Sequence, residues 1–126
     1  MYLMDTCVYL WFLNDDPKLP TALKNLIQTS DNLHISIATF WEMAIKSCKG
    51  KLTLPAPASQ LMKDCEELNI SILQISPDHI DLIEKMPLIH EDPFDRLILS
   101  QAITEALTIL SSDGKFDKYG VRTIWK

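Results

Sequence analysis

Several things are scarce in this chain of 126 residues, and each scarcity excludes something. Cysteine occurs three times, at Cys7, Cys48 and Cys65. The count is odd, no two lie close together and no C-x-x-C pair exists, which argues against both a zinc site and a disulfide framework. Each cysteine has apolar neighbours, so the expectation is three buried, reduced thiols, as suits a cytoplasmic protein. Long apolar runs are absent, and none approaches the roughly 18 residues needed to span a membrane. The start, Met1-Tyr2-Leu3-Met4-Asp5, lacks the basic head and apolar run of a signal peptide. Basic charge is also short: 12 Lys and Arg face 17 Asp and Glu, for a net charge of −5. That excludes a coat protein for nucleic acid, which needs a basic surface. It does not exclude an enzyme acting on nucleic acid, because clustered metal-binding carboxylates lower the net charge and bound cations reverse the local field. Internal repeats and low-complexity tracts are missing as well.

What is present fits one folded domain, residues 1–126. A chain of this length buries about two-thirds of the surface it exposes when unfolded. Hydrophobic residues at 47% and charged residues at 23% are ordinary for a globular protein. Short apolar runs predict strands at Tyr2–Met4, Leu33–Ile37, Ile70–Leu73, Thr108–Leu110 and Arg122–Trp125. Helical spacing falls between them. Leu23, Leu26 and Ile27 share a face; Trp41, Ala44, Ile45 and Cys48 follow i, i+3, i+4, i+7; Leu61, Cys65 and Leu68 form another stripe, and Ile80 with Ile83 a shorter one. The segment Phe94–Ala106 is apolar on most sides, as a centrally packed helix would be. Strands alternating with helices imply an α/β fold whose mostly parallel sheet is covered on both faces. Ligands of such folds bind beyond the carboxyl ends of the strands.

Four acids lie where those ends should be. Asp5 closes the first strand and has the position of a helix N-cap. Glu42 follows the second strand, and Thr39-Phe40-Trp41-Glu42 reads as a capping box that would put Glu42 in the first helical turn. Asp95 falls in the first turn of a helix capped by Asp92 and started by Pro93. Asp113 follows the fourth predicted strand and forms an Asp-Gly turn pair with Gly114. Capping or turn chemistry explains each acid alone. Together they come from four separated segments and gather at one sheet edge. Carboxylates so gathered repel one another and need a cation or a proton to coexist. An all-oxygen site without nearby His or Cys favours Mg²⁺ or Mn²⁺ over zinc. Such ions activate water, orient a phosphate and neutralise a departing oxygen, which is the equipment of phosphodiester hydrolysis.

The same residues carry a resemblance. Tyr2-Leu3-Met4-Asp5-Thr6 with Leu10-Trp11, the run Ser36 to Lys46 continuing to Gly50-Lys51-Leu52, Asp92-Pro93-Phe94-Asp95-Arg96-Leu97-Ile98, and Ser111-Ser112-Asp113-Gly114-Lys115-Phe116 with Tyr119-Gly120-Val121 resemble the PIN-domain ribonucleases. The match is closest to the VapC-like toxins of bacterial toxin–antitoxin pairs, and it covers nearly the whole chain. It implies a three-layer α/β/α sandwich and an endoribonuclease with RNA as substrate. It implies that Asp5, Glu42, Asp95 and Asp113 match the family's acidic metal-binding cluster. Thr6 and Ser111 become supporting hydroxyls, and Asp92 a residue near the site. A cognate antitoxin and a homodimer are implied as partners. The chain departs from many relatives at Cys7, where an asparagine or histidine is common, and at Ser111, where threonine is.

Lys46, Lys49 and Lys51 form a basic stretch. Lys46 and Arg96 are candidate RNA contacts, against the alternatives of a solvated helix end and an Arg96–Asp92 pair. His34, His79 and His90 show no ligand spacing, although His90 is close enough to Asp92 to be a minor candidate for approaching the site. Trp11, Trp41 and Trp125 lie in apolar patterns and are expected in the core. Two other readings compete. One is a receiver-like signalling module, which needs an acidic pair at the first strand and a phospho-acceptor after a central one. The other is a PIN fold without activity that binds RNA or protein as a scaffold.

Overall fold

The computed structural model describes residues 1–125. Five strands form one sheet: β1 (Tyr2–Met4), β2 (Leu33–Ser36), β3 (Ile70–Leu73), β4 (Thr108–Leu110) and β5 (Thr123–Ile124). Their order is β3-β2-β1-β4-β5, and every pairing is parallel. The helices are α1 (Thr6–Leu13), α2 (Thr21–Thr29), α3 (Ile37–Cys48), α4 (Ala58–Glu67), α5 (Pro77–Lys85) and α6 (Pro93–Glu105), with a 3₁₀ turn at Phe116–Tyr119. Four of the five expected strands match to within a residue, and the last is shorter than expected.

Alternation along the strands builds the layers, because successive side chains of a strand point to opposite faces. Met4, Ile35 and Leu110 join a core with Val8 and Tyr9 of α1, Leu23 and Ile27 of α2, Phe40 and Met43 of α3, and Leu61 and Cys65 of α4. Their neighbours Leu3 and Ile109 face the other way, against Ile98, Leu99 and Ala102 of α6, with Phe116. The result is a three-layer α/β/α sandwich with a core on each face of the sheet. This strand order differs from the 2-1-3-4-5 order of receiver modules, which removes that reading. It reverses direction between β1 and β4, where open α/β sheets place their crevice.

α3 corrects the sequence reading in register. Ser36, not Thr39, is its N-cap and accepts from Ala38 N–H at 3.1 Å, so the helix starts earlier and Glu42 falls in its second turn. The stripe Trp41–Ala44–Cys48 faces outward. Trp41 is 61% exposed, while Ala38, Thr39, Phe40, Glu42 and Met43 are buried. Polar Thr39 and Glu42 lie on the inner side for a reason found at the site below. The periodicity was helical, but hydrophobicity alone chose the wrong face. Trp11 and Trp125 are partly buried and pack together at 5.4 Å. Of the cysteines only Cys65 is buried; Cys7 and Cys48 are exposed. No helix among the described residues is long and apolar enough to cross a membrane.

Candidate active site

The carboxyl end of β1 delivers Asp5. Its backbone N–H donates to Leu110 O at 3.1 Å, the last carbonyl of β4, so the chain leaves the sheet beside that strand. Asp5 caps α1, with Oδ1 accepting from Val8 N–H at 2.9 Å. The other oxygen, Oδ2, accepts from the hydroxyl of Ser111, which stands just past β4. Ser111 Oγ in turn accepts from Asp113 N–H at 3.0 Å, and Asp113 Oδ1 accepts from Lys115 N–H at 2.9 Å. One serine thus joins two acids on neighbouring strand ends.

Glu42 reaches the same place from α3. Thr6 Oγ1 donates to its Oε1 at 2.9 Å and lies 3.1 Å from Thr39 Oγ1. Lys46, one turn on, donates to its Oε2 at 2.8 Å. This polar inner face explains the burial of Thr39 and Glu42: both meet partners from α1. Asp95 arrives on the first turn of α6, where Asp92 caps the helix and accepts from Phe94 and Asp95 N–H at 2.9 and 3.1 Å.

Asp5, Glu42, Asp95 and Asp113 line one cleft of about 190 Å³, together with Thr6, Lys46 and Asp92. Cys7 is at its wall. A larger hollow of about 690 Å³ lies between the end of α3 and the segment 50–58, among small and apolar side chains without acids.

Electrostatics mark the cleft as crowded with negative charge. Burial pushes the Asp95 carboxyl up to about 7; Asp92, Asp5 and Glu42 add to the rise, and His90 opposes it. Burial also raises Asp5, with Asp113 adding, although its bonds from Ser111 and Val8 pull the other way. Asp113 behaves differently. Burial works against its charged form, but the bonds from Lys115 N–H and His90 outweigh it and lower its pKa. Although the Cys7 residue is exposed, its thiol is partly buried against the cleft and is pushed up to about 11 by that desolvation and then by Asp5, Asp95 and Glu42. It is therefore a thiol, not a thiolate, and a poor nucleophile. Lys46 is held in its charged form chiefly by its bond to Glu42, against partial burial.

Three sequence expectations change here. Arg96 does not face the cleft: it is buried, and its guanidinium donates to the carbonyls of Ile83, Met86, Pro87 and His90. It neither pairs with Asp92 nor offers itself to RNA. His90, only a minor candidate on sequence, reaches two of the acids that line the cleft. Its Nε2 lies 2.8 Å from Asp113 Oδ2 and 3.2 Å from Asp95 Oδ2. The premise of an all-oxygen neighbourhood without histidine therefore fails, since His90, Asp95 and Asp113 present donor atoms within 4.8 Å of one another. The signal was present in His90-Glu91-Asp92, two residues from the cap, but loop geometry decides which way such a ring points. Trp41 is the third change: instead of sitting in the core it meets Phe94 edge-on at 5.3 Å, exposed on the outside. The other histidines serve elsewhere. His79 completes a capping box with Ser76 and reaches Glu105 at 3.0 Å.

The donor set fits a divalent cation. Carboxylates from four segments converge, and two of them are raised by burial and by neighbouring acids: Asp95 by Asp92, Asp5 and Glu42, and Asp5 by Asp113. A bound cation relieves such repulsion.

The PIN domain family matches residues 2–121, and the chain belongs to that family. Solved structures with the same fold include the VapBC2 complex of Rickettsia felis bound to a DNA fragment from their promoter, at 20% identity and a TM-score of 0.66, covering 99% of this chain and 98% of that one. FitAcB of Neisseria gonorrhoeae is similar at 17% identity and a TM-score of 0.67, over 98% and 96% of the two chains. FitAB bound to an IR36 DNA fragment is similar at 17% identity and a TM-score of 0.69, over 100% and 96%. No curated protein matches the sequence.

Proposed function

We propose that this PIN domain is an Mg²⁺- or Mn²⁺-dependent endoribonuclease that acts as the toxin of a toxin–antitoxin pair. One observation carries the reading: carboxylates from four separate segments converge in one cleft, and among the described residues Lys46 is the only lysine or arginine lining it. Family membership supports the nuclease class. The fold neighbours come from VapBC and FitAB assemblies, the setting that the toxin resemblance implies, and this supports an antitoxin partner. The same resemblance underlies our assignment of a homodimer and of RNA as substrate, while chain length underlies the single domain and the unpaired cysteines the cytoplasm.

Asp5, Glu42, Asp95 and Asp113 would hold the cation. Bound there, it would supply positive charge toward a phosphate and make water more acidic. Ser111 fixes the unshared oxygen of Asp5, and Thr6 fixes one oxygen of Glu42. Lys46 holds the other Glu42 oxygen and stands at the cleft as the cation nearest to an incoming phosphate. The raised pKa of Asp95 gives it a proton to lose on cation binding, so affinity for the ion should strengthen as pH rises through about 7.

The test is incubation of single-stranded RNA with the protein, with Mg²⁺ or Mn²⁺ and with a chelator. Internal cleavage that stops on chelation and in Asp5→Asn and Asp95→Asn is expected. Cleavage that survives both treatments sinks the proposal. Co-purification with the product of a neighbouring short reading frame, with loss of cleavage, checks the antitoxin.

A further inference from the structure

We propose that His90 is a positioning residue of the acidic cleft: a locked loop presents its Nε2–H to Asp113, with the Asp95 carboxylate 3.2 Å from the same nitrogen, and so sets the two carboxylates relative to each other for the cation. The inference rests on the reading of the acids as a metal site.

The segment between α5 and α6, residues 86–92, has no regular structure, yet its backbone is tied down by side chains. Arg96 Nη1 donates to Pro87 O at 3.0 Å and His90 O at 3.3 Å, and Nη2 to Ile83 O at 2.8 Å and Met86 O at 3.3 Å. Tyr119 Oη donates to Pro87 O at 2.6 Å and accepts from Ile89 and His90 N–H at 2.9 and 2.8 Å. The His90 ring stacks on Phe116 at 5.7 Å with planes 28° apart. Burying a guanidinium to bind neutral carbonyls is costly, because no anion offsets the lost hydration. What the cost secures here is the path of one loop. Both ends of the residue 90 peptide unit and its ring are held, so the imidazole has one direction to point.

When the ring is neutral, its tautomer follows from its surroundings. Nε2 faces the two carboxylates, while Nδ1 is buried with no hydrogen-bond partner among the described residues. A proton on Nδ1 would leave a buried donor unserved and aim an Nε2 lone pair at two anions. A proton on Nε2 leaves only an acceptor unserved, which is the smaller cost. The same argument separates positioning from ligation. A ligating imidazole carries its proton on the far nitrogen and donates it to a carboxylate, carbonyl or water. No acceptor among the described residues stands at Nδ1. His90 therefore acts through Asp95 and Asp113.

Those two acids need such a tie. Asp95 rides on α6 and Asp113 on the turn after β4, two segments joined at this point by the imidazole. Ligating carboxylates are themselves hydrogen-bonded, and losing such a partner costs roughly 10- to 100-fold in metal affinity.

Nitrogen-15 NMR of the intact metal-free protein reads the tautomer, and the proton is expected on Nε2. Mn²⁺ titration then compares wild type with His90→Ala, His90→Gln and Tyr119→Phe. His90→Ala should weaken binding about tenfold or more, and His90→Gln, which keeps an N–H donor, should recover most of it. Tyr119→Phe keeps the ring but frees the loop, and should lose a few-fold. Pulsed electron paramagnetic resonance of the Mn²⁺ form should show no imidazole nitrogen coupling. If His90→Ala does not fold, the other two variants carry the comparison. A proton on Nδ1, an imidazole coupling to Mn²⁺, or unchanged Mn²⁺ affinity in the variants overturns the positioning role. A wild-type protein that binds no Mn²⁺ overturns the metal reading beneath it, and this role with it.

Discussion

The two ends of the sheet carry different kinds of strain. At the carboxyl end, Asp5, Glu42, Asp95 and Asp113 share a cleft, where burial and neighbouring acids raise the cost of ionising Asp5 and Asp95. At the amino end the strain is conformational and local: Asn69 before β3 and Ala106 before β4 hold left-handed backbone, with φ of 59° and 56°. The second kind is ordinary at helix ends and costs about 1–2 kcal/mol for a residue with a Cβ. The first has no use in folding, since uncharged side chains would pack there without repulsion. Proteins tolerate such arrangements at functional sites and offset them elsewhere.

The largest effect should come from neutralising one acid. Asp95→Asn is expected to lower RNA cleavage roughly 10³-fold, the scale of losing several kcal/mol of charge stabilisation. The same variant should melt higher than wild type at about pH 8 without metal, because a repelling charge is gone. At about pH 5 the gain should vanish, since Asp95 is protonated there in the wild type. A variant that loses activity and stability together would argue that the carboxyl end is structural after all.

The pH dependence of the metal-free protein is the next largest. Burial raises Asp95 from the ordinary 3.8 to about 7, so the native state binds a proton that the unfolded chain has released. Stability from this group is full below about pH 4 and is lost as pH rises through about 7. Asp5 shifts in the same direction. Asp113 has the opposite sign, but its window lies below its ordinary pKa, so it contributes no slope above about pH 5. The melting temperature should therefore fall between about pH 5 and pH 8, and saturating Mn²⁺ should flatten the fall. A stability that rises with pH over this range in chelator contradicts the shifts.

Smaller effects are expected from the hydroxyls that hold the acids. Thr6→Val removes the donor to Glu42 Oε1 and the link to Thr39, all in buried surroundings. A loss of about 1–3 kcal/mol of stability is expected from the unserved oxygen, with activity down about tenfold. Ser111→Ala frees Asp5 Oδ2 and should raise the Asp5 pKa further, since that bond lowers it. Its melting curve should be steeper with pH than that of wild type. Chemical denaturation of both variants at two pH values reads the difference.

The sequence carried the sheet well, because short apolar runs between helical segments have few alternatives. It carried the four acids because each follows a strand or opens a helix, and parallel topology then gathers them. It failed where polar residues faced inward. On α3, hydrophobic periodicity chose the Trp41–Cys48 stripe, because Thr39 and Glu42 spend the buried face on Thr6 rather than on apolar contacts. Arg96 is misread, and His90 given too little weight, for a related reason. Their roles depend on a loop path that Arg96 and Tyr119 themselves set, through backbone carbonyls and amides that leave no pattern in the residue types.

The smallest prediction concerns the quiet end. α3 and α6 end with the same pair of bonds. After α3, Gly50 N–H donates to Ser47 O and Lys51 N–H to Lys46 O; after α6, Ala106 N–H donates to Ile103 O and Leu107 N–H to Ala102 O. The residue in the left-handed region is glycine in the first case, at φ 73°, and alanine in the second, at φ 56°. Glycine removes the clash between Cβ and carbonyl but gives the unfolded chain more freedom, so the two terms partly cancel. Ala106→Gly should stabilise by about 1 kcal/mol at most, equally at pH 5 and pH 8 to within about 0.3 kcal/mol, with activity unchanged. That independence from pH is what distinguishes conformational strain at one end from electrostatic strain at the other. If the gain from Ala106→Gly varied with pH as that of Asp95→Asn does, the two ends would be coupled and their separation would fail.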